Sequence, residues 1–130
     1  MAAFSDYLEN KVLGHVFGGT AYTAPSTLYV ALYTVAPSDT GGGTEVSGGG
    51  YARQTSTFNV SGTNPTEATN ASAIEYPEAT ANYGTVVAVG VFDALTSGNL
   101  LAYSTITASK TIDSGDVFRI NAGNLDITLA

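Results

Sequence analysis

The chain has no cysteine, no tryptophan, one histidine and only four basic residues. Without cysteine there can be no disulfide, thiolate nucleophile or zinc–thiolate centre. The four cations, Lys11, Arg53, Lys110 and Arg119, are scattered among 11 acids, giving a formal net charge of −7. Nucleic-acid binding needs a basic face that displaces counterions from phosphates, and these residues cannot build one. The same repulsion disfavours an anionic membrane surface. No apolar run reaches the ~18 residues of a membrane span. The opening MAAFSDYLENK carries acids where a secretion signal needs a basic and then an apolar region. Cytosolic synthesis is therefore expected, with use there or exit by a route other than secretion, such as lysis.

Charge of either sign is also scarce, at 12 % of residues against ~25 % in an ordinary domain. Thr, Ser, Asn and Gly fill the gap. A surface of hydroxyls and amides suits close contact with other subunits, because little charge must be desolvated. It also suits contact with sugars. Apolar residues make up 44 % of the 130 residues. That size supports a single domain, 1–130, able to bury roughly two-thirds of its unfolded surface.

The organising stretch is a central hairpin over about 85–107. Thr85 to Phe92 and Asn99 to Thr107 are rich in Val, Phe, Tyr and Thr, which fit a pleated, half-buried surface. Asp93 to Gly98 supplies turn chemistry between them. Both arms are apolar at nearly every position, so the hairpin is expected to lie centrally in a sheet. Thr27 to Val35 is a further strand, with Leu28, Val30 and Leu32 on one face and Tyr29, Ala31 and Tyr33 on the other. Tyr51 to Val60, Glu67 to Tyr76, Lys110 to Asp113, Val117 to Asn121 and Leu125 to Leu129 read as additional strands. A single helix is predicted over about 5–17. Phe4, Leu8, Val12 and Val16 form its apolar stripe, widened by Leu13 and Phe17. Ser5 or Asp6 can cap it, and Gly18-Gly19 ends it. At about three turns it is marginal alone, so it must dock on the sheet or on a neighbouring molecule. The predicted fold is mainly β: a two-sheet antiparallel β-sandwich or jelly-roll-like domain with one N-terminal α-helix and a long glycine-rich loop.

That loop spans about 36–50, APSDTGGGTEVSGGG. A phosphate-cradling loop would end in Gly-Lys-Ser/Thr, whereas here Gly50 is followed by Tyr51. A dinucleotide site would need a helix to follow, and no helical pattern does. The loop is expected either to order against a partner or to stay flexible.

No catalytic constellation is found. Glu75 with Glu78, and Asp113 with Asp116, are the local carboxylate pairs, and both sit at predicted turns or strand ends, where acids occur for backbone reasons. Their spacing matches no calcium loop. A Ser-His-Asp triad would have to use His15 on the helix, and no Gly-x-Ser-x-Gly elbow occurs. The expectation is a protein that is not an enzyme, with no cofactor and no metal. Eight tyrosines offer large contact area with a polar tip. The candidate partner contacts are Tyr7 and His15 on the helix, Gly42, Gly43, Glu45 and Gly49 in the loop, and Tyr51 and Arg53 after it. Arg53 can clamp a carboxylate, either on a neighbour or in its own chain.

The stretches FSDYLENKVLGHVFGGTAYTAPSTLYVALYT, SGGGYARQ, NASAIEYPEATANYGTV, VGVFDALTSGNLLAYSTITASKTIDSGD and AGNLDITL cover nearly the whole chain in order. They resemble a family of small virion proteins of tailed bacteriophages, often labelled tail-fibre or structural proteins. Members of that family often carry Trp where this chain has Tyr83. The resemblance implies a β-rich accessory protein of the virion, made in the host cytoplasm, with no catalytic residues to carry over. Within it, the expected role is a capsid cement or decoration protein on the outer surface of the shell. It would bind the major capsid protein and copies of itself, bridging neighbouring capsomers by many weak contacts. The competing expectation is a tail-fibre or tail-associated protein, with a host glycan as an additional partner.

Overall fold

The computed structural model describes residues 3–129. In chain order these form β1 (Ala3–Phe4), α1 (Asp6–Val16), β2 (Leu28–Val35), β3 (Thr44–Glu45), β4 (Gln54–Ser56), β5 (Phe58–Ser61), β6 (Thr66–Asn70), β7 (Ile74–Glu75), β8 (Gly84–Phe92), β9 (Leu100–Ile112), β10 (Arg119–Ile120) and β11 (Asp126–Leu129). The fold is mainly β with one helix and is consistent with a β-sandwich, as the sequence predicted. A large sheet runs β1-β9-β8-β2-β3, with β4 also paired to β2. Two small antiparallel units, β11-β6-β5 and β10-β7, form the rest.

The β8–β9 hairpin is the centre of the large sheet and is longer than the sequence suggested. Its register runs from Phe92↔Leu100 to Gly84↔Ile112. Lys110 to Asp113 was expected as a separate strand, but its first three residues belong to β9, because the ladder resumes at Val86↔Lys110 after an interruption. Ile106, Thr107, Ala108 and Ser109 bulge out there opposite Val87 alone, as extra residues in one strand must.

Alternation along β2 and β8 sorts side chains onto two faces, since successive strand residues point to opposite sides. Val30, Leu32, Val89 and Val91 enter the main core with Ile74, Tyr76, Tyr83, Phe118 and Leu125 from the facing segments. Ala31, Tyr33, Ala88, Phe92 and Leu100 form a second cluster on the reverse face. Gly90 lies on that reverse face. A Cβ there would sit 2.9 Å from both the Tyr33 ring and Leu100 Cδ1, so glycine leaves the space over the strand that these two side chains occupy.

Two expected strands are each divided. Tyr51 to Val60 becomes β4, which pairs with β2 in the large sheet, and β5, which pairs with β6 in the small one. Thr57 is the crossing point, and its carbonyl accepts the Ala71 N–H at 2.8 Å. Glu67 to Tyr76 becomes β6 and β7, with a corner after Asn70. That side chain is 2 % exposed. It donates to Ser72 O (2.9 Å) and Asn121 O (3.0 Å) and accepts the Leu125 N–H (2.9 Å). One amide thereby joins three main-chain groups at the corner, of which the Leu125 N–H is buried.

Ser5 caps α1: its Oγ accepts the Leu8 N–H at 3.2 Å and donates to Leu100 O, tying the helix start to β9. The helix docks only in part. Leu8 and Val12 are half-buried, but no helix residue is buried, and Leu13, Val16 and Phe17 are 59, 61 and 81 % exposed.

Candidate functional site

The glycine-rich loop folds on its own chain. Ser38 and Gly41 exchange both main-chain hydrogen bonds, at 2.8 and 2.9 Å. β3 then pairs with β2, and the Val46 N–H donates to Leu32 O at 2.9 Å. Val46 is 4 % exposed and anchors the loop in the main core. Gly49 O accepts the Thr80 N–H at 3.0 Å. The two glycine triplets adopt positive φ throughout, which glycine does without steric cost. The expectation was a loop either ordered against a partner or flexible; intrachain pairing and one apolar anchor hold it instead.

Two of the candidate glycines have no room for a side chain. At Gly43 (φ +72°) a Cβ would lie 2.5 Å from Val35 O, and at Gly49 (φ +60°) 2.8 Å from Ala81 O. At Gly42 a Cβ would meet nothing within 4 Å. Gly42 and Tyr7 line one cleft of about 440 Å³, with Asp39, Tyr33 and Phe92 around it. Tyr103 OH donates to Asp39 Oδ1 close by, and that bond, more than burial, pushes the Tyr103 phenol up to about 12. His15 is elsewhere, at the far end of the helix, where its Nδ1 accepts the Tyr22 N–H at 3.1 Å.

Glu45, Tyr51 and Arg53 are brought together, and they are engaged with one another. Arg53 is 8 % exposed. Its Nε and one terminal nitrogen each donate to a Glu45 carboxylate oxygen at 2.9 Å, the fork geometry that makes such pairs strong. The other terminal nitrogen donates to Ala94 O (3.0 Å) and Ser97 O (2.7 Å) in the hairpin turn. The guanidinium carbon lies 3.7 Å from the Phe92 ring centroid, within cation–π reach. Tyr51 OH donates to Glu45 Oε2 at 2.7 Å and accepts the Leu32 N–H at 3.0 Å. Burial acts to raise the Glu45 carboxyl, but hydrogen bonds from Arg53 and Tyr51 and the Arg53 charge outweigh it and hold the group below its usual range. Burial, followed by the bond to Glu45, pushes the Tyr51 phenol far up. Of the two partners open to Arg53 in the sequence, the structure supplies the one in its own chain. The network staples the end of the glycine loop to the β8–β9 turn.

Several tyrosines are also turned inward. Tyr51 stacks on Tyr76 (6.0 Å, 10°) and meets Tyr83 edge-on (5.8 Å, 81°), and Tyr76 meets Phe118 edge-on. Tyr76 OH donates to Val30 O at 2.7 Å and Tyr83 OH to Pro77 O at 3.1 Å. Sequence reasoning offered Tyr51 as a partner contact; its ring is turned inward instead, and each of the eight tyrosines is buried or half-buried. The acids are held by local contacts. Asp116 Oδ2 accepts the Asp113 N–H at 2.9 Å, and Glu75 pairs with Arg119 at 3.2 Å on the surface. Among the described residues, no group of three His, Asp or Glu side chains is close enough to hold a metal ion. Among the same residues, no helix is long and apolar enough to cross a membrane.

One surface feature these internal contacts leave unexplained is the outward face of α1. A shallow groove runs along it, lined by Asp6, Glu9, Asn10, Leu13, Gly14, Phe17 and Gly18. No curated protein matches the chain. A protein-family model described as podophage GP4 fiber I protein gp80 matches residues 3–128.

Proposed function

The chain belongs to the podophage GP4 fiber I protein gp80 family, and on that premise we propose that this phage virion structural protein is a component of the fibre. It works through the surfaces it offers to other proteins and makes or breaks no bonds. Its partners are copies of itself and neighbouring virion proteins on the outside of the particle. The family match over residues 3–128 carries this reading. The architecture supports it: the most elaborate polar cluster, around Arg53 and Glu45, is used up in fixing a loop, and a rigid β-domain with a projecting helix remains for contact.

The capsid-cement role is the alternative outcome of the same experiment. Antibody raised against the purified chain, coupled to gold, is applied to phage particles that carry it. Label along the fibres is expected. Label spread over the head would replace the fibre role with a cement role. Absence of the chain from purified particles by mass spectrometry would overturn both.

A further inference from the structure

The helix α1 ends in an apolar surface that its own domain does not cover. Leu13, Val16 and Phe17 are 59, 61 and 81 % exposed. They present on the order of 400 Å² of contiguous apolar surface, the scale at which the largest patch on a monomer is often functional. The patch is held rigid. The helix start is fixed by Ser5 to β9, and at the other end the Thr20 N–H donates to Gly14 O (3.0 Å) and the Tyr22 N–H to His15 Nδ1 (3.1 Å). The connector Gly19–Thr27 is thereby laid against the helix end, and it too is exposed or half-buried.

Charge permits a second copy at this face. Two copies of a chain carrying −7 repel, so they can meet closely only where acids do not face each other. No Asp, Glu, Lys or Arg occurs from Val12 to Ser38, the longest uncharged run in the chain. The patch and the connector both fall within it. Asp6 and Glu9 lie at the opposite end of the groove from Phe17, so a crossing centred on the last helical turn keeps them apart. Shape fits the same occupant. Leu13 and Phe17 project beside Gly14, where no side chain fills the shallow groove they line, so each copy brings both a projection and a shallow hollow. That is the self-complementarity a two-fold contact requires.

We infer that the last turn of α1, through Leu13, Val16 and Phe17, is the surface by which a second copy of this chain docks. The apolar patch supplies about half of the ~800 Å² per partner of a standard interface, and the uncharged connector supplies adjoining area. The inference deepens the fibre reading by naming a self-contact, and it can fail separately from it.

The test is the mass of the purified chain by light scattering across a concentration series. The wild type should rise above the 13.2 kDa of one chain. Phe17→Asp should weaken association at least tenfold, while Val60→Asp, at an equally exposed apolar site on β5, should not. Because the chain has no cysteine, Gly14→Cys gives a second readout that does not depend on the Asp variant folding: a short bis-maleimide should link Gly14→Cys copies and not Val60→Cys copies. A wild type that stays at one chain's mass throughout, equal effects of the two Asp variants, or no selective Gly14→Cys cross-link would overturn the inference. If gold label still lay on the fibres in that case, the fibre role would stand without it.

Discussion

Replacing Arg53 with methionine keeps the apolar stem and removes every polar contact of the guanidinium. Three losses follow. Glu45, whose side chain is 26 % exposed, loses its charge partner but keeps Tyr51. Breaking a fully buried pair from one side costs about 3–5 kcal/mol, and the partial exposure of Glu45 brings this to about 2 kcal/mol. The Ala94 and Ser97 carbonyls lose their donor, but they lie in an exposed turn where water replaces it, so each contributes about 0.5 kcal/mol or less. The cation over Phe92 at 3.7 Å contributes a further ~0.5 kcal/mol. The expected destabilisation is about 3 kcal/mol. For a domain of this size that corresponds to a Tm lower by roughly 12 °C and a guanidinium midpoint lower by about 1 M. Equilibrium unfolding followed by tyrosine fluorescence and by far-ultraviolet circular dichroism measures it. A double-mutant cycle with Glu45→Gln should show the two losses to be less than additive, by about 1–2 kcal/mol, because both remove the same fork. A variant within about 0.5 kcal/mol of wild type would refute the reasoning. Desolvation of the ion pair would then cancel its attraction, and the loop would be held by Val46 and the β3 ladder alone.

The same site sets a pH dependence. The Glu45 carboxyl is lowered in the folded protein, so below about pH 4.3 the unfolded chain binds more protons there than the folded one. The stabilisation is present above that value and is lost as pH falls through the folded pKa. Urea midpoints taken from pH 6 to pH 3 should fall less steeply for Glu45→Gln than for wild type; parallel profiles would show that Glu45 is not the group responsible. Gly49→Ala should cost about 2–4 kcal/mol, since it combines a left-handed backbone with a Cβ 2.8 Å from Ala81 O; an unchanged thermal midpoint would count against the tight approach of the loop to residues 80–83. Asn70→Ala should cost about 1–3 kcal/mol, because it leaves the buried Leu125 N–H and the part-buried Ser72 and Asn121 carbonyls without their partner. Calorimetry reads this directly, and a loss under about 1 kcal/mol would mean that the corner relaxes to pair those groups otherwise.

What the chain fixes by itself is whatever depends on neighbouring residues. The alternation of Leu28 to Val35 and the apolar run of Gly84 to Phe92 define β2 and β8, and Ser5 and Gly19 bracket the helix. These are period and capping signals, carried by residues a few positions apart. Tertiary structure decided the rest. Thr57 is where the chain changes sheets, and nothing in TSTFNV marks it, because strand exchange depends on which partners lie on either side. Whether Arg53 faced a neighbour or its own chain depended on a turn more than 40 residues away. Leu13 and Phe17 carry the same apolar signal as Leu8 and Val12, yet one pair packs and the other projects. A stripe says only that a face must be covered; the geometry of the sheet beneath it determines how much of that cover comes from within.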